Sequence, residues 1–134
     1  MANTTFKGEI AVQKVVLRAI EKDVIVSRPV VEGCRYDLVL DVDGGLKKAQ
    51  VKYAGQTSRG AVKVIVASTD CRGKKGKRYT ESEVDLIIAY SPVTDRFYKL
   101  PARVWRGKRM LSLRYEPSRN NQKAGCFEAK EFEW

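Results

Sequence analysis

The sequence predicts an α/β fold of the α+β kind, built as one domain over residues 1–134. Two patterns carry this reading. A helical hydrophobic period occupies only the N-terminal segment up to Lys22, and the rest breaks into short β-branched runs separated by Gly, Pro, Asn and Asp turn signals. At 134 residues, 43% hydrophobic and 31% charged, the chain has the length and composition of one globular unit with a sizeable core.

Thr4 or Thr5 is expected to cap the helix, whose apolar arc holds Phe6, Ile10, Val12, Val15, Val16, Leu17, Ala19 and Ile20. Lys7, Lys14, Arg18 and Glu21 form its wet face. Glu9 falls within the apolar arc with Gln13 one turn on, so its carboxylate needs a cation, a partner or a water-filled cleft. Its plainer reading is a carboxylate at the positive helix N-terminus facing solvent.

Val24-Ile25-Val26-Ser27 reads as a short strand, followed by a Pro29 turn and a loop through Arg35. Two extended stretches, Tyr36 to Val42 and Leu46 to Tyr53, then flank Asp43-Gly44-Gly45, a hairpin-turn signal. Ala61 to Ala67 is dense in β-branched residues and is expected at or near the centre of a sheet. The basic segment Cys71 to Tyr79 reads as a loop and Thr80-Glu81-Ser82-Glu83 as a helical turn. Val84 to Tyr90 then reads as a buried strand paired with Arg96 to Leu100, ended by Pro101. Met110 to Tyr115 is expected to be the last strand, before a polar surface loop and an amphipathic tail ending at Trp134.

Composition excludes several chemistries. There is no histidine, so mechanisms resting on imidazole as base or ligand are closed, and any catalysis must run on carboxylates and lysine, with or without a metal. Three widely spaced cysteines, Cys34, Cys71 and Cys126, form no zinc set and read as reduced thiols. No apolar run reaches membrane-spanning length and no signal-peptide pattern opens the sequence, so the expected setting is the cytoplasm, with no membrane partner.

The 26 Lys and Arg against 16 Asp and Glu, a net charge of +10, point to a polyanionic partner, read as nucleic acid. Lys74, Lys75, Lys77 and Arg78 suit phosphate contacts. Base readout needs planar donors, for which Arg59, Arg72, Arg106, Arg119, Asn120, Asn121 and Gln122 are the candidates.

The hairpin is the most informative feature. With Gly44-Gly45 as a two-residue loop, Asp41 opposes Lys48, Val39 opposes Gln50 and Asp37 opposes Lys52. Asp37, Val39, Gln50 and Lys52 then share one face, and Leu38, Leu40, Ala49 and Val51 the other. An acid, an amide and an amine at the open end of an apolar hairpin suit a hard metal and a phosphate. The plain alternative is a cross-strand ion pair between Asp37 and Lys52.

The succession Lys7-Gly8-Glu9 opening a helix, Tyr36-Asp37-Leu38 and Gln50-Val51-Lys52 resembles the PD-(D/E)xK nuclease superfamily. The Gln in the usually acidic slot, the Tyr79-Thr80 to Asp85 segment and the Ser118-Arg119-Asn120-Asn121-Gln122 run look most like its homing endonucleases from cyanobacterial group I introns. Archaeal Holliday-junction resolvases share the helix Glu and the strand Asp but usually carry Glu where Gln50 stands. The Pro that names the superfamily is absent before Asp37, where Tyr36 stands.

The resemblance implies a mixed central β-sheet flanked by helices. It implies that Asp37 binds metal, helped by Glu9 and Gln50, and that Lys52 is the catalytic lysine of a Mg²⁺-dependent DNA endonuclease. Mn²⁺ is an alternative cofactor, and Ca²⁺ is expected to bind without supporting cleavage. Gln50 offers a neutral amide oxygen and removes one negative charge from the site. The leading expectation is cleavage of double-stranded DNA at a specific site, of the intron-homing type, by a homodimer or larger homo-oligomer. The alternatives are a structure-specific resolvase and a basic nucleic-acid-binding module whose nuclease site has lapsed.

Overall fold

The computed structural model describes residues 3–68, 76–117 and 126–134. Helix α1 spans Thr4–Glu21. Its cap is Asn3 rather than Thr4 or Thr5: the Asn3 side chain accepts the Phe6 N–H at 3.0 Å, satisfying one of the free amides of the first turn. The strands that follow are β1 (Ile25–Ser27), β2 (Leu38–Val42), β3 (Gly45–Tyr53), β4 (Thr57–Ser58), β5 (Ala61–Ile65), β6 (Ala67–Ser68), β7 (Lys77–Arg78), β8 (Leu86–Ser91) and β9 (Arg96–Pro101). A short helix α2 (Ala102–Trp105), β10 (Met110–Arg114), β11 (Cys126–Glu128) and a 3₁₀ turn (Ala129–Phe132) complete the chain.

The principal sheet has five strands in the order β1-β2-β3-β8-β9, mixed because β3 and β8 run parallel while the other pairs are antiparallel. Helix α1 covers one face. Ala11, Val12, Val15 and Ala19 meet Leu38, Leu40, Ala49, Val51, Leu86 and Ile88, all buried. The α+β class and mixed sheet expected from the sequence are both present.

The opposite face is covered by strands rather than by a long helix. A second sheet, ordered β11-β10-β5-β4, lays Val62, Val64, Leu111 and Leu113 against Ile87, Ala89, Tyr98 and Leu100. The stretch at Ala61 is therefore interior to a sheet, as its β-branched residues predict, but to this second one. Met110–Arg114 is not the last strand, because Cys126–Glu128 pairs with it in parallel. Of the segment Cys71 to Tyr79 read as a loop, residues 71–75 lie outside the described residues, Lys77–Arg78 pairs with β6, and Tyr79 is buried.

The apolar arc of α1 corrects the sequence reading. Only part of it faces the sheet; Phe6, Ile10, Leu17 and Ile20 point outward and are exposed. The hairpin register also differs. Val42 pairs with Gly45, so the loop is Asp43-Gly44, with φ of 50° and 77°. Both residues are left-handed, as a type I′ turn requires, and the right-handed twist of the strands favours that turn. Every pair shifts by two relative to the expected register, so the faces survive but the partners change: Val39 opposes Lys48 and Asp41 opposes Leu46.

Candidate active site

Asp37 stands where β2 and β3 stop pairing. Its N–H donates to Ala49 O at 2.9 Å, although Ala49 is already the partner of Leu38. Two residues thus oppose one, the pattern of a β-bulge, and Asp37 leaves the simple alternation of the strand. The expected opposition of Asp37 and Lys52 is not formed. Instead the Asp37 carboxylate turns across the end of the ladder and accepts the Val51 N–H on Oδ2 at 3.0 Å.

That placement lets one carboxylate meet groups from both sides of the sheet. Burial raises the Asp37 pKa above the ordinary value, and the Val51 N–H, Lys52 and Arg28 only partly offset it, while Glu9 pushes in the same direction as burial. Among the described residues Oδ1 has no hydrogen-bond partner.

Gln50 and Lys52 lie on the face of β3 that looks toward the second sheet, beside Ile87 and Ala89 of β8. Their neighbours are core; they are half-buried at its margin. The Gln50 amide nitrogen contacts Val51 O at 3.4 Å, which leaves its carbonyl oxygen available. Lys52 Nζ lies 4.9 Å from the centre of the Tyr79 ring, within cation–π range.

Glu9 is not buried. It projects from the exposed side of α1, takes the Gln13 amide at 2.7 Å and is bridged by Arg28 at 3.1 and 3.2 Å. The Arg28 hydrogen bonds, then that of Gln13, hold its pKa below the ordinary value. The cation that the sequence argument demanded is therefore present, but at the surface. Lys52, Arg28 and Glu9 each act electrostatically on Asp37, and Gln50 lies on the same face of β3 as Lys52.

Arg28 and Arg35 were not singled out from the sequence. Arg28 sits in an irregular loop beside Pro29 and carries no sequence signal. Arg35 is largely buried, with its guanidinium 4.1 Å from the Tyr79 ring centre. It donates to Ser68 Oγ, Lys77 O and Arg78 O. Its Nε lies 3.2 Å from Glu83 Oε2 but off the hydrogen-bond direction, so that contact is Coulombic. Glu83 was legible as the last residue of a Thr-x-x-Glu cap: Thr80 N–H and Oγ1 both donate to it, at 3.0 and 3.1 Å.

The charged candidates for DNA contact are placed unequally. Arg59 occupies the tip of the β4–β5 hairpin with φ of 51°, exposed beside Gly60. Arg78 is exposed on β7. Lys77 is tied to Glu83 at 3.1 Å and Arg106 to Glu81, so neither is presented as an isolated cation. Arg72, Lys74, Lys75, Arg119, Asn120, Asn121 and Gln122 lie outside the described residues.

Among the described residues no three acidic, histidine or cysteine groups converge. The donor set is one carboxylate with a spare oxygen, one amide oxygen, and a second carboxylate engaged by arginine. Hard oxygen donors in this number fit Mg²⁺, which keeps several waters and takes one or two carboxylates plus substrate phosphate. Burial of Asp37 adds to the fit, because a cation would relieve the charge that burial penalises.

The sequence profile of the PD-(D/E)XK endonuclease family matches residues 2–134. No curated protein matches the sequence. Among solved structures, that of a bacterial homing endonuclease, I-Ssp6803I, is similar at 27% identity and a TM-score of 0.72, over 99% of this chain and 88% of that one. The chain belongs to the PD-(D/E)XK endonuclease family and is a nuclease.

Proposed function

We propose that this chain is a Mg²⁺-dependent endonuclease that cuts double-stranded DNA at a specific site, in the manner of the homing enzymes. The supporting observation is the placement of Asp37: one carboxylate oxygen fixed by the Val51 amide, the other without a hydrogen-bond partner among the described residues, with Lys52 and Glu9 in electrostatic reach. Asp37 and the Gln50 carbonyl would hold the ion, and Glu9 would assist directly or through water. When bound, the ion would polarise the scissile phosphate and favour attack by water.

Lys52 has the electrostatic part. Its ammonium lies 4.9 Å from the centre of the Tyr79 ring and acts electrostatically on Asp37, and it would offset the negative charge that builds on the phosphoryl oxygens. Arg59 and Arg78 would contact DNA, together with the basic residues around Lys74 and Arg119. One copy carries one such site, so cutting both strands at one place calls for at least two copies.

Cleavage of linear duplex libraries against a four-way junction, each with and without Mg²⁺, tests this reading. Asp37→Ala and Lys52→Ala should each abolish cutting while leaving DNA affinity within a few-fold. Binding should weaken steeply with salt, as several released counterions require: log affinity against log salt should fall with a slope of about −0.9 for each phosphate contacted. Cutting of junctions alone would replace the reading with a resolvase. DNA binding without cutting by the unaltered protein would replace it with a binding module.

A further inference from the structure

Helix α1 is amphipathic twice. Ala11, Val12, Val15 and Ala19 bury against the principal sheet, yet Phe6, Ile10, Leu17 and Ile20 are 65%, 41%, 56% and 59% exposed on the opposite side. With Gln13 among them, these residues fall at successive spacings of four, three, four and three, the a/d seam of a heptad pattern. Phe6, Ile10 and Leu17 line a shallow apolar groove together with Glu9, Gln13 and Lys14.

We propose that this seam is the interface between two copies of the chain, paired helix on helix about a twofold axis. The exposed apolar surface is on the order of a few hundred Å², the size at which a patch marks an interaction site. The flanking residues bring it toward the roughly 800 Å² per partner of a standard interface.

Charge selects the occupant. The chain carries a net +10, but the helix residues flanking the seam, Glu9 and Glu21 against Lys7 and Lys14, sum to zero, and to only +1 with the Arg28 that bridges Glu9. Such a face repels neither itself nor a like copy and gives DNA little to hold. Lys7 and Lys14 also lean back over Tyr53 and Tyr90, at 6.0 and 5.6 Å from the ring centres, leaving the apolar stripe open. Gln13 is the one polar residue in the seam, the kind that fixes register at some cost in stability. Glu9 joins the seam to the candidate site, so pairing here would bring two nuclease sites into one assembly.

The test is sedimentation of the full chain, without metal or DNA, so its outcome is independent of nuclease activity. The unaltered protein should sediment at twice the 15.1 kDa chain mass at micromolar concentration. Leu17→Glu should shift it to the single-chain mass with helical ellipticity unchanged, because that side chain faces solvent in the monomer. Ile20→Lys, at the far end of the seam, should act alike and covers the case in which Leu17→Glu fails to fold. Val31→Glu, exposed but off the helix, should leave the dimer intact. A larger even assembly that falls apart on the same seam substitutions supports the same face. A monomer at about 100 times that concentration, a dimer that survives both seam substitutions, or a monomer captured by anionic vesicles would overturn the proposal.

Discussion

Arg28 lies across the carboxylate of Glu9, with Nη1 3.1 Å from Oε2 and Nη2 3.2 Å from Oε1. It also stabilises the charge on Asp37. A fixed cation thus occupies the neighbourhood of the proposed ion site, and it engages Glu9, one of the proposed ligands. Removing it should act twice in the same direction, freeing Glu9 and deleting a like charge. Arg28→Ala should tighten Ca²⁺ binding in the absence of DNA by roughly tenfold, equivalent to about 1.4 kcal/mol. Calorimetric titration checks this, and unchanged affinity would place Glu9 outside the ion's reach.

Burial holds the Asp37 carboxylate where its charge is penalised. Its raised pKa means that the folded state takes up a proton more readily than the unfolded chain, so ionised Asp37 opposes folding. The penalty is fully present above the folded pKa and vanishes below the unfolded value. Asp37→Asn keeps an oxygen for the Val51 N–H and removes the charge. It should stabilise the metal-free protein at pH 7 by about 1 kcal/mol, within the usual range for relieving a strained functional site. The gain should disappear as pH falls through the ordinary carboxylate range, and cutting should be lost throughout.

How far the site could be read in advance depended on which residues follow a period. Leu38, Leu40, Ala49 and Val51 obey strand alternation, and all are buried on one face as expected. A slip of two residues in the hairpin preserves that face, so the face was legible while the partners were not. Asp37 departs from alternation through its bulge-like contact with Ala49, a feature without a sequence mark. Glu9 was placed inside a single apolar arc because the helix carries two apolar faces, and periodicity merges them into one wide arc. The second sheet was missed as a layer because short strands such as Thr57–Ser58 are set by their partners rather than by their own sequence.

Gln50 raises a question of sign. Its carbonyl oxygen is available, but its amide nitrogen contacts Val51 O, a role that a carboxylate cannot fill. Gln50→Glu should therefore tighten Mg²⁺ binding by roughly tenfold through the added charge. Without metal it should lower stability by about 1 kcal/mol, since a half-buried carboxylate would face a carbonyl and the Asp37 charge. Thermal melts with and without Mg²⁺ should bracket the unaltered protein from below and from above. A variant less stable in both conditions would show that this position does not touch the ion.

Tyr79 organises the cations on the far side of the sheet. Its ring lies under Lys52 and Arg35, and its hydroxyl is 2.6 Å from Ser68 Oγ, which also receives Arg35. If the ring positions Lys52, the face matters and the hydroxyl does not. Tyr79→Phe should retain most of the cutting rate and lose about 1 kcal/mol of stability from the deleted hydrogen bond. Tyr79→Leu fills much of the buried volume but has no π-face, and should cut roughly tenfold more slowly, the loss of an exposed-to-desolvated cation–π contact of about 1 to 2 kcal/mol. DNA affinity should not change in either variant, because Tyr79 is buried and would act only through the order it imposes on Lys52. Single-turnover cleavage at saturating enzyme separates the rate from binding, and equal rates for the Phe and Leu variants would leave Lys52 positioned by Asp37 and the backbone alone.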